Sequence, residues 1–487
     1  MLLFVVHNQR PVEKCFQQSQ VINNIFIKKK IENVKTRGDI WTYIKENVIP
    51  PLSKTIPYET SRKIPENDFL LIGKFRLRQI RVPRDSCKFP DKLKKLFGFD
   101  HLGIECSSSV NSIYDDNNHY NKSWQIQSKG VSSSDEWSYQ NAWDLDSVPY
   151  IGDRAIYSGG GYLVDMKAGS SAISKISELN LKSWLDIRTR AFFIEFVLYN
   201  PNVNMYSSVM IAFEYSSPGT LTKSYQIYTS PLSDYSSNEE VTRLVFEVIF
   251  FVLTMLFTFF EIRKIRLISF LTYFKIFWNK LSMFMLILCY TATVIFIVKY
   301  RRTTIILHQY RDSGKNSYIN FSLAILWDSI LFYVLAVLTT VTTIKFLQLL
   351  MLNHKLKYLF SMMEHAHKPL KYFTFMYVIS LLAFACCGNL LFGASLEGNR
   401  SFGYSFMTLI ECTFRIANLN QYLELHPELG PVFILVYIFV FVFILMNMFS
   451  VIIMNAQKSF KKKGVRQDEK LSLMIKYSVG RIRRIFR

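Results

Sequence analysis

Five stretches of the chain, residues 244–260, 281–298, 323–352 (with interruptions), 372–392 and 431–454, are almost continuously apolar. The hydrocarbon core of a bilayer takes about 20 helical residues. Each run is long enough to cross it, and no water-soluble fold needs five such runs in one half of a chain. The pattern predicts five membrane-spanning helices. Nothing comparable occurs in the first 240 residues. The chain therefore divides into a polar half (7–242), a membrane half (243–457) and a short tail (458–487). With 41 Phe and 27 Tyr in 487 residues the polar half is not a disordered segment. Seven Cys are too few for a disulfide-dense scaffold.

Charge sets the orientation. Short cytoplasmic loops are rich in Lys and Arg. The loop after the first run carries Arg263, Lys264, Arg266, Lys275 and Lys280, and the tail has eleven Lys or Arg against Asp468 and Glu469. Both belong inside, and helix parity agrees. The segment with Lys299, Arg301, Arg302 and Arg311 falls outside by parity, against the rule. Glycosylation sequons occur at Asn121, Asn320 and Asn399, all on the outside in this arrangement. The polar half is then extracellular. The net charge of +21 is assigned to membrane flanks, with no nucleic acid as partner. The apolar stub at residues 1–6 reads as the end of a truncated first helix, or alternatively as a short buried strand.

The polar half alternates β-like runs with turns. Residues 191–198 and 209–214 read as strands, and 22–34 and 40–48 as helices stopped by Pro50-Pro51. An α+β domain follows. Ser158-Gly159-Gly160-Gly161-Tyr162 lacks the Lys-Ser/Thr that completes a phosphate loop and is read as a structural turn. Cys87 and Cys106 are expected to form a disulfide on the oxidising side, two free thiols being the alternative. Cys289, Cys386, Cys387 and Cys412 read as packing residues in membrane runs. His365 and His367, two apart, point to different helix faces and make no metal pair. No nucleophile elbow, zincin motif or paired Cys-x-x-Cys appears. Neither enzyme nor cofactor is expected.

The last two runs bracket something different. After residues 372–392 come a polar turret (393–402), a short amphipathic stretch too short to span (406–416), a polar segment from Ala417 to Gln421, and the final run. Helix, re-entrant helix, extended segment, helix is the plan of an ion-channel pore. The alternative is a soluble loop between two packing helices. In the preceding helix Lys345 is the one cation, too few for a voltage sensor.

Several stretches together resemble the polycystin family, more closely its polycystin-1-like branch. They include Tyr157 to Tyr162, Trp184-Leu185-Asp186 through Phe196, Leu198-Tyr199-Asn200-Pro201-Asn202, Leu391-Phe392-Gly393, Phe414-Arg415-Ile416, Leu429-Gly430-Pro431 and Leu445-Met446-Asn447-Met448-Phe449. The resemblance implies a multi-pass α-helical membrane protein of six-helix channel type, its first helix truncated, with an extracellular α+β polycystin domain. Residues 243–370 become helices two to four with a linker, and 371–457 the pore module. The filter falls at Arg415, Ile416, Ala417, Asn418, Leu419 and Asn420. Relatives of polycystin-2 type carry an acidic residue there, and this chain has Asn418 and Asn420 instead. The family's lower gate falls at Asn447, Ser450, Val451 and Met454, which share one helix face. The implied function is a subunit of a non-selective cation channel, with calcium permeation left open. It works as a heteromer with polycystin-2-like subunits at the plasma membrane, a ciliary site being left open. The rival is a non-conducting mechanosensory or adhesion receptor. Lys461, Lys462, Lys463, Arg481, Arg483 and Arg484 make the tail a candidate for anionic lipids such as phosphoinositides.

Overall fold

The computed structural model describes residues 12–53, 69–83, 92, 96, 108, 115–126, 135–232, 238–312, 317–350, 354–414, 420–425 and 427–459. The chain forms two compact units, Met1–Lys345 and Phe346–Arg487. Residues 1–6, Cys87, Cys106 and the basic residues Lys461, Lys462, Lys463, Arg481, Arg483 and Arg484 lie outside the described residues.

In the first unit, helix α1 (Val12–Phe26) is followed by α2 (Arg37–Tyr43), a π-helical turn (Ile44–Val48) and α3 (Ile49–Ser53). A capping box starts α2: Asp39 N–H donates to Thr36 Oγ1 and Thr36 N–H donates to the Asp39 carboxylate. Pro50 and Pro51 do not stop this helix, contrary to the sequence reading; it runs on to Ser53. The Ile49 N–H reaches back to Ile44 O, a five-residue step that widens the coil just before the two rings. A regular α-helix would set each ring against the carbonyl four residues earlier.

Among the described residues eleven strands follow: β1 (Leu70–Leu71), β2 (Phe75–Arg81), β3 (Tyr120–Asn121), β4 (Gln125–Ile126), β5 (Tyr139–Gln140), β6 (Tyr150–Ile151), β7 (Ile156–Tyr157), β8 (Gly161–Met166), β9 (Thr189–Asn200), β10 (Met205–Tyr215) and β11 (Leu221–Pro231). Helix α4 (Ser170–Leu181) separates β8 from β9. The main antiparallel sheet has the order β11-β10-β9-β2-β8-β5, with β1 also on β9. The first ten residues of β9 are buried without a break. Its Phe192, Ile194, Phe196 and Leu198 pack with Ile22, Phe26, Ile40, Trp41 and Ile44 from the helices. On the other face Phe193 meets Tyr150 and Tyr157 of the β6–β7 hairpin, and Val197 meets Ile306, Ile319 and Phe321. A strand covered on both faces carries a continuous apolar run rather than an alternation.

Polar residues on that second face are paired. Arg76 grips Asp165 through two bonds of 2.7 and 2.9 Å, and Arg78 grips Glu195 at 2.7 and 2.9 Å. Arg78 also donates to Ser158 O (2.9 Å) and Gly160 O (3.2 Å). The glycine-rich segment thus offers carbonyls to a cation, the reverse of a phosphate loop. A Cβ at Gly161, whose φ is +145°, would sit 2.6 Å from Gln79 O.

Three long helices complete this unit: α5 (Asn238–Ile268), then, after the short α6 (Phe270–Lys275), α7 (Phe277–Asp312) and α8 (Ser322–Leu350). With 36 residues, α7 is about 54 Å long, far more than a bilayer needs. Its far end packs on the sheet through Ile306. Of the four cations that run against the charge rule, Lys299 is ion-paired with Asp328 of α8 and Arg311 contacts His308 and Asp312, while Arg301 and Arg302 are exposed. Lys345 donates to Trp278 O at 3.0 Å, so the one cation of α8 is tied to its neighbour.

The second unit contains α9 (His354–Phe392), α10 (Phe402–Thr413), α11 (Asn420–Leu425) and α12 (Leu429–Ile438). The last runs through a π turn (Phe439–Leu445) into helix up to residue 459. Among the described residues five helical segments are long and apolar enough to span a membrane: Leu244–Ile268, Phe277–Asp312, Ser322–Gln348, Ala366–Phe392 and Leu429–Ser459. The protein is a multi-pass membrane protein.

Candidate pore module

α10 has 12 residues and is about 18 Å long, too short to cross a bilayer. It begins four residues before the stretch read from the sequence and ends at Thr413. Its apolar Leu409 joins Leu381, Ala385 and Phe392 of α9 and Phe433, Tyr437, Phe441 and Leu445 of the last helix in one core. Aromatic rings form much of that core. Tyr437 stacks on Phe441 at 4.5 Å, Phe392 meets Tyr422 edge-on at 5.2 Å, and Phe384 meets Tyr437 at 5.4 Å.

A chain of hydrogen bonds fixes the short helix against its neighbours. Asn399 is 1% exposed. Its Nδ2 donates to Ser405 Oγ at 3.1 Å, and the Ser405 hydroxyl donates to Ala385 O at 3.0 Å. The Tyr422 hydroxyl donates to Asn399 Oδ1 at 2.6 Å. Asn389 Nδ2 donates to Asn399 O at 2.7 Å, and the Thr408 hydroxyl donates to Gly398 O at 2.8 Å. At the other end of α10 the Tyr437 hydroxyl donates to Leu409 O at 2.7 Å. Asn399 therefore joins α9, α10 and α11. Its buried side chain leaves no open path for a glycan, which speaks against its reading as a glycosylation site. Asn320 Nδ2 is likewise engaged by Leu145 O and Asp146 O, at 2.9 and 3.2 Å, whereas Asn121 lies half-buried in β3. Nothing in the residue type marks Asn399 as a hub. The cues were Gly388 and Gly430, where a Cβ would come within 2.9 Å of Asn399 Nδ2 and 2.2 Å of Tyr422 O.

The filter residues Arg415, Ile416, Ala417, Asn418 and Leu419 lie outside the described residues, and Asn420 opens α11, exposed. What flanks them is electronegative. The C-terminal carbonyls of α10 carry the negative end of its dipole, with no basic residue in the last turn. Glu411, Glu424 and Glu428 are all exposed. Tyr404, Met407 and Glu411 of α10 and Phe414 just beyond its end are exposed, the Tyr404 ring lying under the Arg400 guanidinium at 4.2 Å. A module of this form can favour cations by charge; among the described residues no three His, Cys, Asp or Glu gather to hold a metal.

The candidate gate residues Asn447, Ser450, Val451 and Met454 are exposed, on helix that follows the π turn. Asn447 Nδ2 and Ser450 Oγ donate to carbonyls one turn back, at Phe443 and Met446. The π turn was not foreseen. Buried Phe433, Tyr437, Phe441 and Leu445 recur every four residues, a spacing that drifts around an α-helix of 3.6 residues per turn. The wider turn, with Met446 N–H bonded to Phe441 O, keeps them on one face and sets the rotation of everything after it.

Two family profiles match the chain, one described as Polycystin domain over residues 30–233 and one as Polycystin cation channel over residues 234–460. Polycystin-2-like protein 2 of Homo sapiens is 28% identical over 422 residues, covering 86% of this chain and 65% of that protein. Polycystin-2 of Danio rerio is 26% identical over 462 residues, covering 92% and 49%. Polycystin-1-like protein 3 of Mus musculus is 25% identical over 433 residues, covering 88% and 19%. The chain thus spans less than two thirds of each of these relatives' length. Identities of 28% and 25% do not assign it to one branch. Among solved structures, a chain of PI3P- and calcium-bound full-length TRPY1 in detergent aligns with 45% of this chain and 37% of its own, at 18% identity and a TM-score of 0.32, a likeness that carries no argument. With both profiles in consecutive order, over a β-rich domain and a bracketed short helix, the chain belongs to the polycystin family.

Proposed function

We propose that the chain is a subunit of a polycystin-type, non-selective cation channel that works as a heteromer with polycystin-2-like subunits. The observation that carries this is the anchored short helix, α10, held by Asn399 and Tyr437 between two spanning helices with an acidic, exposed mouth beside it. One copy cannot enclose a pore, so the exposed Tyr404, Met407 and Phe414 are assigned to neighbouring subunits. Four copies of Asn418 at the filter would offer dipoles where acids attract divalent ions. Polycystin-2-like neighbours would supply those acids, and calcium permeation with them.

The rest of the assignment follows from this. The N-terminal domain stands outside the cell with a Cys87–Cys106 disulfide and a glycan at Asn121. The gate lies at Asn447, Ser450, Val451 and Met454. The basic tail lies in the cytoplasm against anionic lipid. The site of action is the plasma membrane, including that of cilia. The absence of an acid at Asn418 favours a second reading, a non-conducting receptor whose pore module is scaffold.

Whole-cell currents test this, from the chain alone and with a polycystin-2-like subunit, each with and without Asn418→Asp. The proposal expects silence alone and changed ion selectivity on co-expression. Current from the chain alone, altered by Asn418→Asp, overturns the heteromer. Silence with unchanged selectivity overturns the channel reading in favour of the receptor.

A further inference from the structure

A cavity of about 470 Å³ opens in the first unit beside the ends of α7 and α8 that meet the sheet. Its level relative to the bilayer follows from the two helices. The apolar run of α7 ends at Val298, and the Lys299–Asp328 ion pair links the helices just beyond it. Arg302 lines the cavity four residues past Val298, about 6 Å further along α7. Leu323 of α8 lines it five residues before Asp328, about 7.5 Å beyond the ion pair in the same direction. The headgroup layer of a bilayer is about 5–7 Å deep on each side. The cavity therefore opens at headgroup level. Arg302, Asp144 and Asp146 all line it and are exposed, and among the described residues none of them has an ion-pair partner, not even one another. The other charges of the lining are spent, Arg76 on Asp165 and the Tyr318 ring, Asp312 on Arg311. The two acids sit on the turn after β5. That turn is docked to the start of α8, where Asn320 Nδ2 donates to Leu145 O and Asp146 O and the Ser322 hydroxyl donates to Asp146 O. A cation on one element and two carboxylates on another share one space without closing on each other. Such a space suits a ligand that carries both signs of charge.

We propose that this cavity holds the headgroup of a zwitterionic phospholipid from the adjoining leaflet. The Arg302 guanidinium takes the phosphate through its forked N–H groups, and the Asp144 and Asp146 carboxylates take the ammonium. Ile305, 48% exposed, and Leu323 offer apolar surface to the N-methyl groups and the glycerol. An anionic lipid is the poorer fit, because the two free acids outnumber the one free cation. A soluble molecule with the same two charges shares the chemistry, but the level of the cavity puts it where lipid headgroups are concentrated.

Phosphatidylcholine is the probe, titrated into the full chain in maltoside detergent, with bound lipids resolved by native mass spectrometry. Phosphatidylglycerol of the same acyl chains is the control. The first phosphatidylcholine should bind about tenfold tighter than the first phosphatidylglycerol. Arg302→Gln should weaken it about tenfold. The double variant Asp144→Asn, Asp146→Asn should weaken phosphatidylcholine several-fold and abolish or reverse the preference over phosphatidylglycerol. Asn suits position 146, where φ is +47°. Equal affinity for the two lipids in the wild-type chain overturns the proposal, as does unchanged phosphatidylcholine affinity in either variant. Glycerophosphocholine, which has the headgroup and no acyl chains, separates the sources. Binding as tight as that of the whole lipid would assign the site to a solute and overturn the lipid reading. Size-exclusion profiles of the variants separate lost binding from lost folding, and the readout is lipid rather than current, so it stands apart from the channel reading.

Discussion

Removing the Asn399 side chain should loosen the pore module without touching the filter. In Asn399→Ala the Tyr422 hydroxyl, now 2.6 Å from its acceptor, is left unsatisfied in a buried place. That costs about 1–3 kcal/mol. Ser405 loses a donor at 3.1 Å but keeps its own bond to Ala385 O, which adds about 0.5–1.5 kcal/mol. The expected total is about 2–4 kcal/mol. Tyr422→Phe deletes the same bond from the other side and leaves Asn399 Oδ1 unpaired, for about 1–3 kcal/mol. Because both variants break one bond, the double variant should cost little more than Asn399→Ala alone, a coupling of about 1–2 kcal/mol. Denaturant unfolding of the purified protein in detergent, followed by tryptophan fluorescence, measures all three. Strictly additive losses would refute the hub. A glycosidase-sensitive gel shift that disappears in Asn399→Gln would refute it too, since a side chain buried among α9, α10 and α11 has no room for a glycan.

Two further outcomes follow from the geometry. Gly430→Ala places a Cβ 2.2 Å from the Tyr422 backbone oxygen and should collapse the yield of folded protein on size-exclusion chromatography, while Gly403→Ala, with nothing within 4 Å, should be silent. Asp115 has a carboxyl raised from 3.8 to about 6, so between those values the folded state holds more protons than the unfolded one and stability falls as pH rises. Asp115→Asn should therefore stabilise the chain by about 1–2 kcal/mol at pH 7.5, after a discount for partial exposure, and by almost nothing at pH 4, as denaturant midpoints at the two pH values will show.

The membrane half was legible because hydropathy over about 20 residues is a strong signal. Strands β9 and β10 were legible for a related reason: both their faces are buried, so they read as dense apolar runs. Helix ends were not. Residues 299–312 look polar, and only the packing of Ile306 on the sheet and the pairing of Lys299 with Asp328 explain why helix α7 continues through them. The sequon at Asn399 shows the opposite case, a side chain 1% exposed. Asn-x-Ser/Thr specifies what an enzyme can modify, whereas the same amide is a good buried connector, and only tertiary contacts decide which use prevails. The π turns at Ile44–Val48 and Phe439–Leu445 carry no sequence mark apart from two prolines after the first. Each is selected by what its neighbours must avoid or keep in line.

Within the first unit, the segment before α8 has a mechanical consequence. Phe321 is buried against Tyr206 of β10, with ring centroids 4.8 Å apart, and Ile319 is buried beside Val197 of β9. Each contributes about 1.5–3 kcal/mol by burial. The Arg76 guanidinium lies 4.0 Å from the Tyr318 ring centroid, while the Asn320 amide and the Ser322 hydroxyl both donate to Asp146 O. Ile325 N–H then bonds to Phe321 O, so helix α8 starts directly from the docked residue. Together the two apolar anchors hold the start of α8 to the sheet with several kcal/mol, many times the thermal energy. Displacing that end of α8 requires the sheet to move with it, or the patch to be exposed to water. A force on the sheet is therefore delivered to α8 through Phe321 and Ile319, side chains that meet β9 and β10 across more than a hundred residues of sequence.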